Sequence, residues 1–282
     1  MRYKTMMDLH DKTIFITGAS RGIGRAIALR CARDGAKVVI TGKTAVAHAK
    51  LPGTIHSVVS EVEQAGGQAL AIQLDVRDEQ ALQAAVEQAA QHFGGIDVLV
   101  NNASAISLTN TLDTPARRLD LMWDVNMRAT FLASQACIPH LKNSSNPHIL
   151  TLSPPLNFEA KWFAPHLAYS ISKFGMSLCA LGMAREFAAD GIAVNCLWPR
   201  TTIATAAIEF NFPENIFRAS RKPEIVADAA YQIFRRNSRE CSGNFFIDEE
   251  VLRMDGVTDF EQYAVTSDTP LHSDLFLDEW RR

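Results

Sequence analysis

The sequence predicts an α/β fold, a doubly wound parallel sheet with helices on both faces, from three observations. Short β-branched runs alternate with longer stretches of helical spacing through most of the chain, the pattern of βαβ units around a buried parallel sheet. A glycine-rich turn stands between the first predicted strand and the first predicted helix. No Pro/Ser linker, internal repeat or low-complexity segment divides the 282 residues, so one domain is expected, with its core over 10–250 and an extension over 251–282.

Taken in order, residues 12–17 (Lys-Thr-Ile-Phe-Ile-Thr) read as the first strand and 23–34 as its helix, closed by Gly35, the residue that best tolerates a left-handed cap. The second strand is 37–41. Residues 42–53 carry Gly, Pro and small side chains without a period, longer than the usual connection of about two to six residues, and predict a surface loop. Helical spacing resumes over 55–65, Gly66-Gly67 breaks it, and 69–74 gives a third strand ending at Asp75. Asp78 is placed to cap an Ala/Gln-rich helix running to Phe93. The fourth strand, 97–100, carries Asn101-Asn102-Ala103 at its carboxyl end. A helix over 116–141, a strand over 148–152, a helix over 166–189, a strand over 191–197, a helix over 223–234 and a short strand over 244–247 complete a seven-stranded sheet. Right-handed crossovers then place helices on both faces.

Lys plus Arg number 28 against 31 for Asp plus Glu, a net charge of −3, which leaves no basic excess for a phosphate backbone and argues against nucleic acid as a partner. Five cysteines (31, 137, 179, 196 and 241) stand singly without a C-x-x-C pair, so they read as reduced core residues and no metal site is expected. Residues 1–11 are polar, and no run of signal-peptide or membrane-span length is evident. The expectation is a cytoplasmic protein without integral membrane association. The terminal Trp280-Arg281-Arg282 is neither a prenylation box nor a peroxisomal tripeptide. The tail after Asp248 is acidic and dotted with Phe260, Tyr263, Phe276 and Trp280, as in an extension laid over the domain or against a neighbouring subunit.

The chemistry-bearing residues sit at the carboxyl ends of the strands. In Thr17-Gly18-Ala19-Ser20-Arg21-Gly22-Ile23-Gly24 the glycines let the backbone turn sharply and approach a pyrophosphate, whose charge meets helix-terminal N–H groups. Gly18, Ser20, Arg21, Gly22, Ile23 and Gly24 are therefore candidate cofactor contacts. At the end of the second strand, about 20 residues past this turn, where a carboxylate would grip a free ribose hydroxyl, the chain has Gly42 and then Lys43. Lys43 and Arg21 could meet a 2′-phosphate, which favours NADP over NAD. Asp75-Val76 could face the adenine, although Asp75 could equally serve the next helix as a cap. Asn102 and Ala103 lie at the sheet edge where open α/β folds bind ligands. Tyr169 and Lys173, four apart on a predicted helix, share one face, so the ammonium could lower the phenol pKa and hold a ribose. A phenol titrating near 10 is otherwise a poor acid or base at neutral pH.

These residues resemble the short-chain dehydrogenase/reductase family: Thr17 to Gly24 is similar to its T-G-x-x-x-G-x-G turn, Asn101-Asn102-Ala103 to its N-N-A segment, and Tyr169 with Lys173 to its Y-x-x-x-K pair. The resemblance spans residues 10–250. It implies a seven-stranded Rossmann-type sheet, hydride transfer between a nicotinamide and an alcohol/carbonyl pair, and homodimers or homotetramers packed through the long helices. It also implies that Tyr169 is the general acid/base, that Lys173 tunes it and binds ribose, that Asn126 supports a proton-relay water, and that Pro199 lies near the nicotinamide. Three positions depart from the family. Ser104 replaces the glycine after N-N-A, and Arg200 replaces the glycine after Pro199. The serine that normally polarises the substrate carbonyl falls, by counting back from Tyr169, on Leu156. Aligning the strand puts Pro154 there instead, with Ser153 one position earlier. Ser153 is the remaining candidate, yet a strand residue shifted by one points to the opposite face.

The function expected is an NADP(H)-dependent oxidoreductase acting on a small-molecule carbonyl or alcohol. Phe158, Trp162, Phe163, Trp198, Ile203, Phe210, Phe212 and Phe217 would make an apolar pocket for a lipid-, acyl- or steroid-like substrate, or else serve simply as core or subunit contact. The alternative is a non-catalytic NADP-binding sensor or assembly protein on the same fold, motivated by Pro154 in the serine position. A nucleotide-sugar epimerase is disfavoured by the glycine spacing.

Overall fold

Residues 6–47 and 52–278 are described by the computed structural model of the chain. Part of the polar amino terminus, the middle of the 42–53 loop and the terminal Trp280, Arg281 and Arg282 lie outside them. The β-branched runs fold as β1 (Thr13–Ile16), β2 (Lys37–Gly42), β3 (Gln68–Gln73), β4 (Val98–Asn101), β5 (His148–Thr151), β6 (Ala193–Trp198) and β7 (Phe245–Ile247). All pair in parallel in the order β3-β2-β1-β4-β5-β6-β7. The strand order reverses between β1 and β4, so a crevice opens outside their carboxyl ends, the place where such sheets bind ligands.

Strand alternation sorts the core into two layers. Ile14 and Ile16 join the apolar faces of α1 (Gly22–Ala32), α2 (Ile55–Gln64) and α9 (Glu224–Phe234). Phe15 points the other way, into α3 (Glu79–Phe93), α5 (Ala129–Leu141) and α6 (Leu167–Glu186). Asp78 caps α3 as expected, accepting from the Ala81 N–H at 3.0 Å.

The predicted helix over 116–141 is not continuous. It divides into α4 (Ala116–Met122), a π-helical turn (Trp123–Arg128) and α5. A wide turn of this kind carries an extra residue that no hydrophobic period announces, and here it delivers Asn126 to the interior, where it is fully buried. By length and composition α6 could cross a bilayer, a property that counting uninterrupted apolar residues missed. Within this fold 56% of its apolar window is buried, packed against the sheet.

The region after β6 holds elements that periodicity did not reveal: the short α7 (Ala206–Asn211) and α8 (Glu214–Arg218), and α10 (Asp248–Met254) opening the extension. Glu249 of α10 is 3% exposed and accepts from the equally buried Arg221 at 2.5 Å and from Arg253 at 2.7 Å. Residues 271–278 then return across the carboxyl end of β6 as a strap. Asp274 N–H donates to Arg200 O at 3.1 Å and Thr202 N–H to His272 O at 3.0 Å. Trp198 Nε1–H donates to Leu275 O at 2.9 Å.

Candidate active site

Outside β1, β2 and β4 lies a cavity of about 420 Å³ lined by Gly18, Ser20, Arg21, Gly22, Ile23, Lys43, Asp75, Val76, Asn102 and Ala103, ten of the residues proposed to touch a cofactor. Gly24 works from behind the turn. A Cβ there would lie 2.6 Å from Asn102 Nδ2 and 2.8 Å from Gly18 O, so only glycine lets helix and strand close up. Asn102 in turn donates to Thr17 O and Gly18 O, both at 2.9 Å, and Thr17 Oγ1 accepts from the N–H groups of Asn102 and Ala103. Thr17 is thus the pin of the turn. Gly24→Ala is expected to destabilise the fold by about 1–3 kcal/mol through overpacking and to weaken nucleotide binding. Urea unfolding checks the first effect and nicotinamide fluorescence the second.

The groove fits a dinucleotide on physical grounds. The amino terminus of α1 opens at it with no side-chain cap and no acidic residue in its first turn, leaving backbone N–H groups free for an anion. Gly42 brings no carboxylate to the end of β2. Arg21 reaches across the loop to Thr44 Oγ1 at 3.0 Å and Pro52 O at 3.1 Å, and Lys43, 64% exposed, stands 3.3 Å from Asp75. Asp75 lines the groove, but its carboxylate is already engaged by Arg77 at 2.6 Å and by Lys43. The Arg77 hydrogen bonds, ahead of Lys43, hold it far below the usual carboxylate range.

A second cavity, about 140 Å³, contains Tyr169, Lys173 and Pro199 and shares Ile23, Asn102, Ser104, Thr205 and Ala207 with the first. The helical spacing of Tyr169 and Lys173 therefore brings both to one opening beside the groove. Trp198, Ile203 and Phe212 supply apolar wall there. Phe158 and Phe210 are instead exposed, and Phe217 touches neither cavity. The strap contributes Asp274 and Leu275 to the same wall. Its Phe276 is buried among Trp162, His166, Tyr169, Phe174 and Trp198 and stacks on the Tyr169 ring with centroids 6.2 Å apart. Trp162 and Phe163 serve this box and Phe174 rather than the cavity itself. Only the aromatic dotting of the tail hinted at any of this.

The electrostatics differ from the expectation. Burial, assisted by the charge of Asp274, pushes the Tyr169 phenol up rather than down. Burial pulls Lys173 down to about 7, and its Nζ donates to Leu152 O at 2.6 Å. The Lys173 amine is desolvated and turned toward the strand end, and burial is the dominant influence on the phenol. Asn126 sits behind the cavity with both amide functions engaged, accepting from Ala105 N–H at 2.7 Å and donating to Ala105 O and Ser172 Oγ, each at 2.9 Å.

Ser153 is not in the cavity. Its hydroxyl is fully buried and donates to Cys196 Sγ at 3.2 Å, inside the layer between β6 and α6. The one-residue register shift decides this, and the Pro154-Pro155 turn does not re-aim the side chain. Pro154 O accepts from Ser177 at 2.6 Å, which fixes the turn to α6.

The short chain dehydrogenase family matches residues 12–214, and the chain belongs to this family of oxidoreductases, which use a nicotinamide cofactor, NAD or NADP, on small-molecule substrates. Among curated relatives, hydroxysteroid dehydrogenase-like protein 2 of Homo sapiens is 57% identical over 268 residues, 95% of this chain and 64% of its own length. The chain thus spans less than two thirds of that relative. A solved structure from Xanthomonas campestris superposes with a TM-score of 0.94 at 53% identity, covering 97% of this chain and 100% of that one. A short chain dehydrogenase from Mycobacterium thermoresistibile gives 0.91 at 50% identity, covering 96% of each chain.

Proposed function

We propose that the chain is an NADP(H)-dependent oxidoreductase that reduces the carbonyl of an apolar substrate, or oxidises the matching alcohol, with Tyr169 as general acid/base. The observation that carries this reading is the opening of Tyr169 and Lys173 into one apolar cavity continuous with the groove at the uncapped end of α1. The cofactor, when bound, supplies or accepts the hydride. Gly18, Ser20, Gly22 and Ile23 would hold its pyrophosphate at α1, Arg21 and Lys43 would meet the 2′-phosphate, Val76 would flank the adenine side, and Asn102, Ala103 and Pro199 would border the inner end. Tyr169, kept a neutral phenol by its surroundings, gives its proton to the substrate oxygen as the alcohol forms. Lys173 orients ribose and the phenol from one helical turn away. Asn126 holds the segment at Ala105 against α6. A cavity of about 140 Å³ is small beside typical ligand sites of about 300–1,000 Å³, so it receives the reacting end of a lipid- or acyl-like molecule.

Titration with NADPH and NADH, followed by nicotinamide fluorescence, tests the cofactor assignment. NADPH is expected to bind more tightly, and Lys43→Ala to weaken it on the order of 10-fold, in line with loss of a charge-assisted phosphate contact, with NADH little affected. Equal affinities before and after the change remove the 2′-phosphate contact. A second reading, nucleotide binding without turnover, is favoured by the burial of Ser153 and is distinguished by NADPH binding with no turnover of any carbonyl.

Exposed Trp123, Phe131, Ile171 and Leu178 give α5, α6 and the π-helical turn an apolar outer face suited to packing against a second copy, as a homodimer or homotetramer. The free thiols of Cys31, Cys137, Cys179 and Cys196, three of them buried, suit a reducing compartment such as the cytoplasm.

A further inference from the structure

Ser153 faces Cys196, so the cavity lacks the family's serine hydroxyl beside Tyr169; its other hydroxyls, Ser104 and Thr205, line the part it shares with the groove. The strap brings another polar group to that cavity. Asp274 lines it together with Tyr169 and Lys173, and its position is set by hydrogen bonds on both sides: Asp274 N–H donates to Arg200 O, and Trp198 Nε1–H donates to the carbonyl of Leu275. One carboxyl oxygen, Oδ1, accepts from Leu275 N–H at 2.6 Å. The other, Oδ2, makes no hydrogen bond among the described residues. We propose that Asp274, as a neutral carboxylic acid, is the second hydrogen-bond donor to the substrate oxygen, filling from the C-terminal strap the place from which Ser153 is turned away.

The inference rests on the reading of Tyr169 as acid/base. A carboxyl group donates only when protonated, and the surroundings favour that state. The groups facing Asp274 are Lys173 and Tyr169 from α6 and Asp248 from α10. Asp248 lies across the Arg200 backbone, accepting from the Arg200 N–H at 2.9 Å, and two carboxylates so placed resist ionising together. Burial, with Asp248 adding to it and the Leu275 N–H and Lys173 opposing, pushes Asp274 up to about 7. A neutral carboxylic acid in an apolar site is a known means of stabilising a developing oxyanion. Asp274 transfers no proton here. Tyr169 gives the proton, and Asp274 lends a hydrogen bond that strengthens as charge builds on the oxygen.

The test compares Asp274→Asn, which keeps an N–H donor of the same shape, with Asp274→Leu, which keeps only bulk. Decanal and NADPH serve as probes, with thermal unfolding and NADPH affinity as checks on the fold. Asp274→Leu is expected to lose on the order of 10²–10³ in kcat, the loss usual for one such donor, and Asp274→Asn to recover most of it. Equal losses in both variants, or no loss in Asp274→Leu, overturn the proposal while leaving Tyr169 untouched. A ¹³C spectrum of the NADPH-bound protein, assigned by difference against Asp274→Asn, is expected to show Asp274 protonated at roughly pH 6. An ionised Asp274 there overturns the proposal. If decanal is not turned over at all, that counts against the oxidoreductase reading, and the ¹³C spectrum decides for Asp274 alone.

Discussion

Tyr169→Phe is expected to lower kcat by roughly 10²–10⁴-fold, the range associated with a positioned general acid or base, with NADPH affinity and thermal stability near those of the parent. The substitution is clean because the phenylalanine keeps the ring that stacks on Phe276 and removes only a hydroxyl with no hydrogen-bond partner among the described residues. No orphaned group is left in the interior, so the usual cost of breaking a buried polar contact does not arise. Stopped-flow following of NADPH oxidation separates the chemical step from binding. Full turnover by the variant would remove Tyr169 from the reaction and favour the sensor reading.

Glu249→Gln is expected to cost about 3–5 kcal/mol, the range for breaking a buried ion pair from one side. Glu249 and Arg221 are each only 3% exposed, and with the carboxylate gone Arg221 keeps a charge that no solvent reaches. Burial alone would push the Glu249 carboxyl up, but Arg221 and Arg253 outweigh it and hold it below its ordinary 4.5. A carboxyl lowered on folding adds stability above its unfolded value and loses it as pH falls through the folded one, so the pair adds to acid sensitivity below about pH 4.5. Urea unfolding of Glu249→Gln, Arg221→Met and the double variant checks this. The double variant should recover much of the loss, because it leaves no buried charge unpaired. Single variants costing under about 1 kcal/mol would place the pair among the weak surface kind. The pair also bears on the site: Arg221 N–H donates to Thr202 O and Arg221 O accepts from Ala204 N–H, which shapes the segment leading to Thr205 in both cavities.

What the sequence made legible follows from local rules. Strand alternation, the Gly18–Gly24 spacing and the four-residue step from Tyr169 to Lys173 each act within a few residues, and each reappears in the sheet, the groove and the cavity. What stayed illegible depends on distant partners. The direction of Ser153 was readable from its register, but its partner Cys196 lies on another strand. The π-helical turn at Asn126 is invisible to a search for regular periods. Lys173 was expected to acidify Tyr169, yet burial governs both groups, and part of the cover on Tyr169 is Phe276 of the strap, an element without periodicity. Asp274 and Phe276 could not be placed because nothing in a tail of mixed polarity states which surface it will cover.

Phe276 adopts φ of 69°, a left-handed backbone that costs a side-chain-bearing residue roughly 1–2 kcal/mol. The same residue is 1% exposed within five aromatic neighbours, an embrace whose burial outweighs the tension in its main chain. The side chain and the main chain at this point thus have opposed preferences: glycine would relax the twist while forfeiting the anchor. Anchoring of the strap is entrusted to one benzyl group, and the tail's route across the protein is set by where that group is lodged.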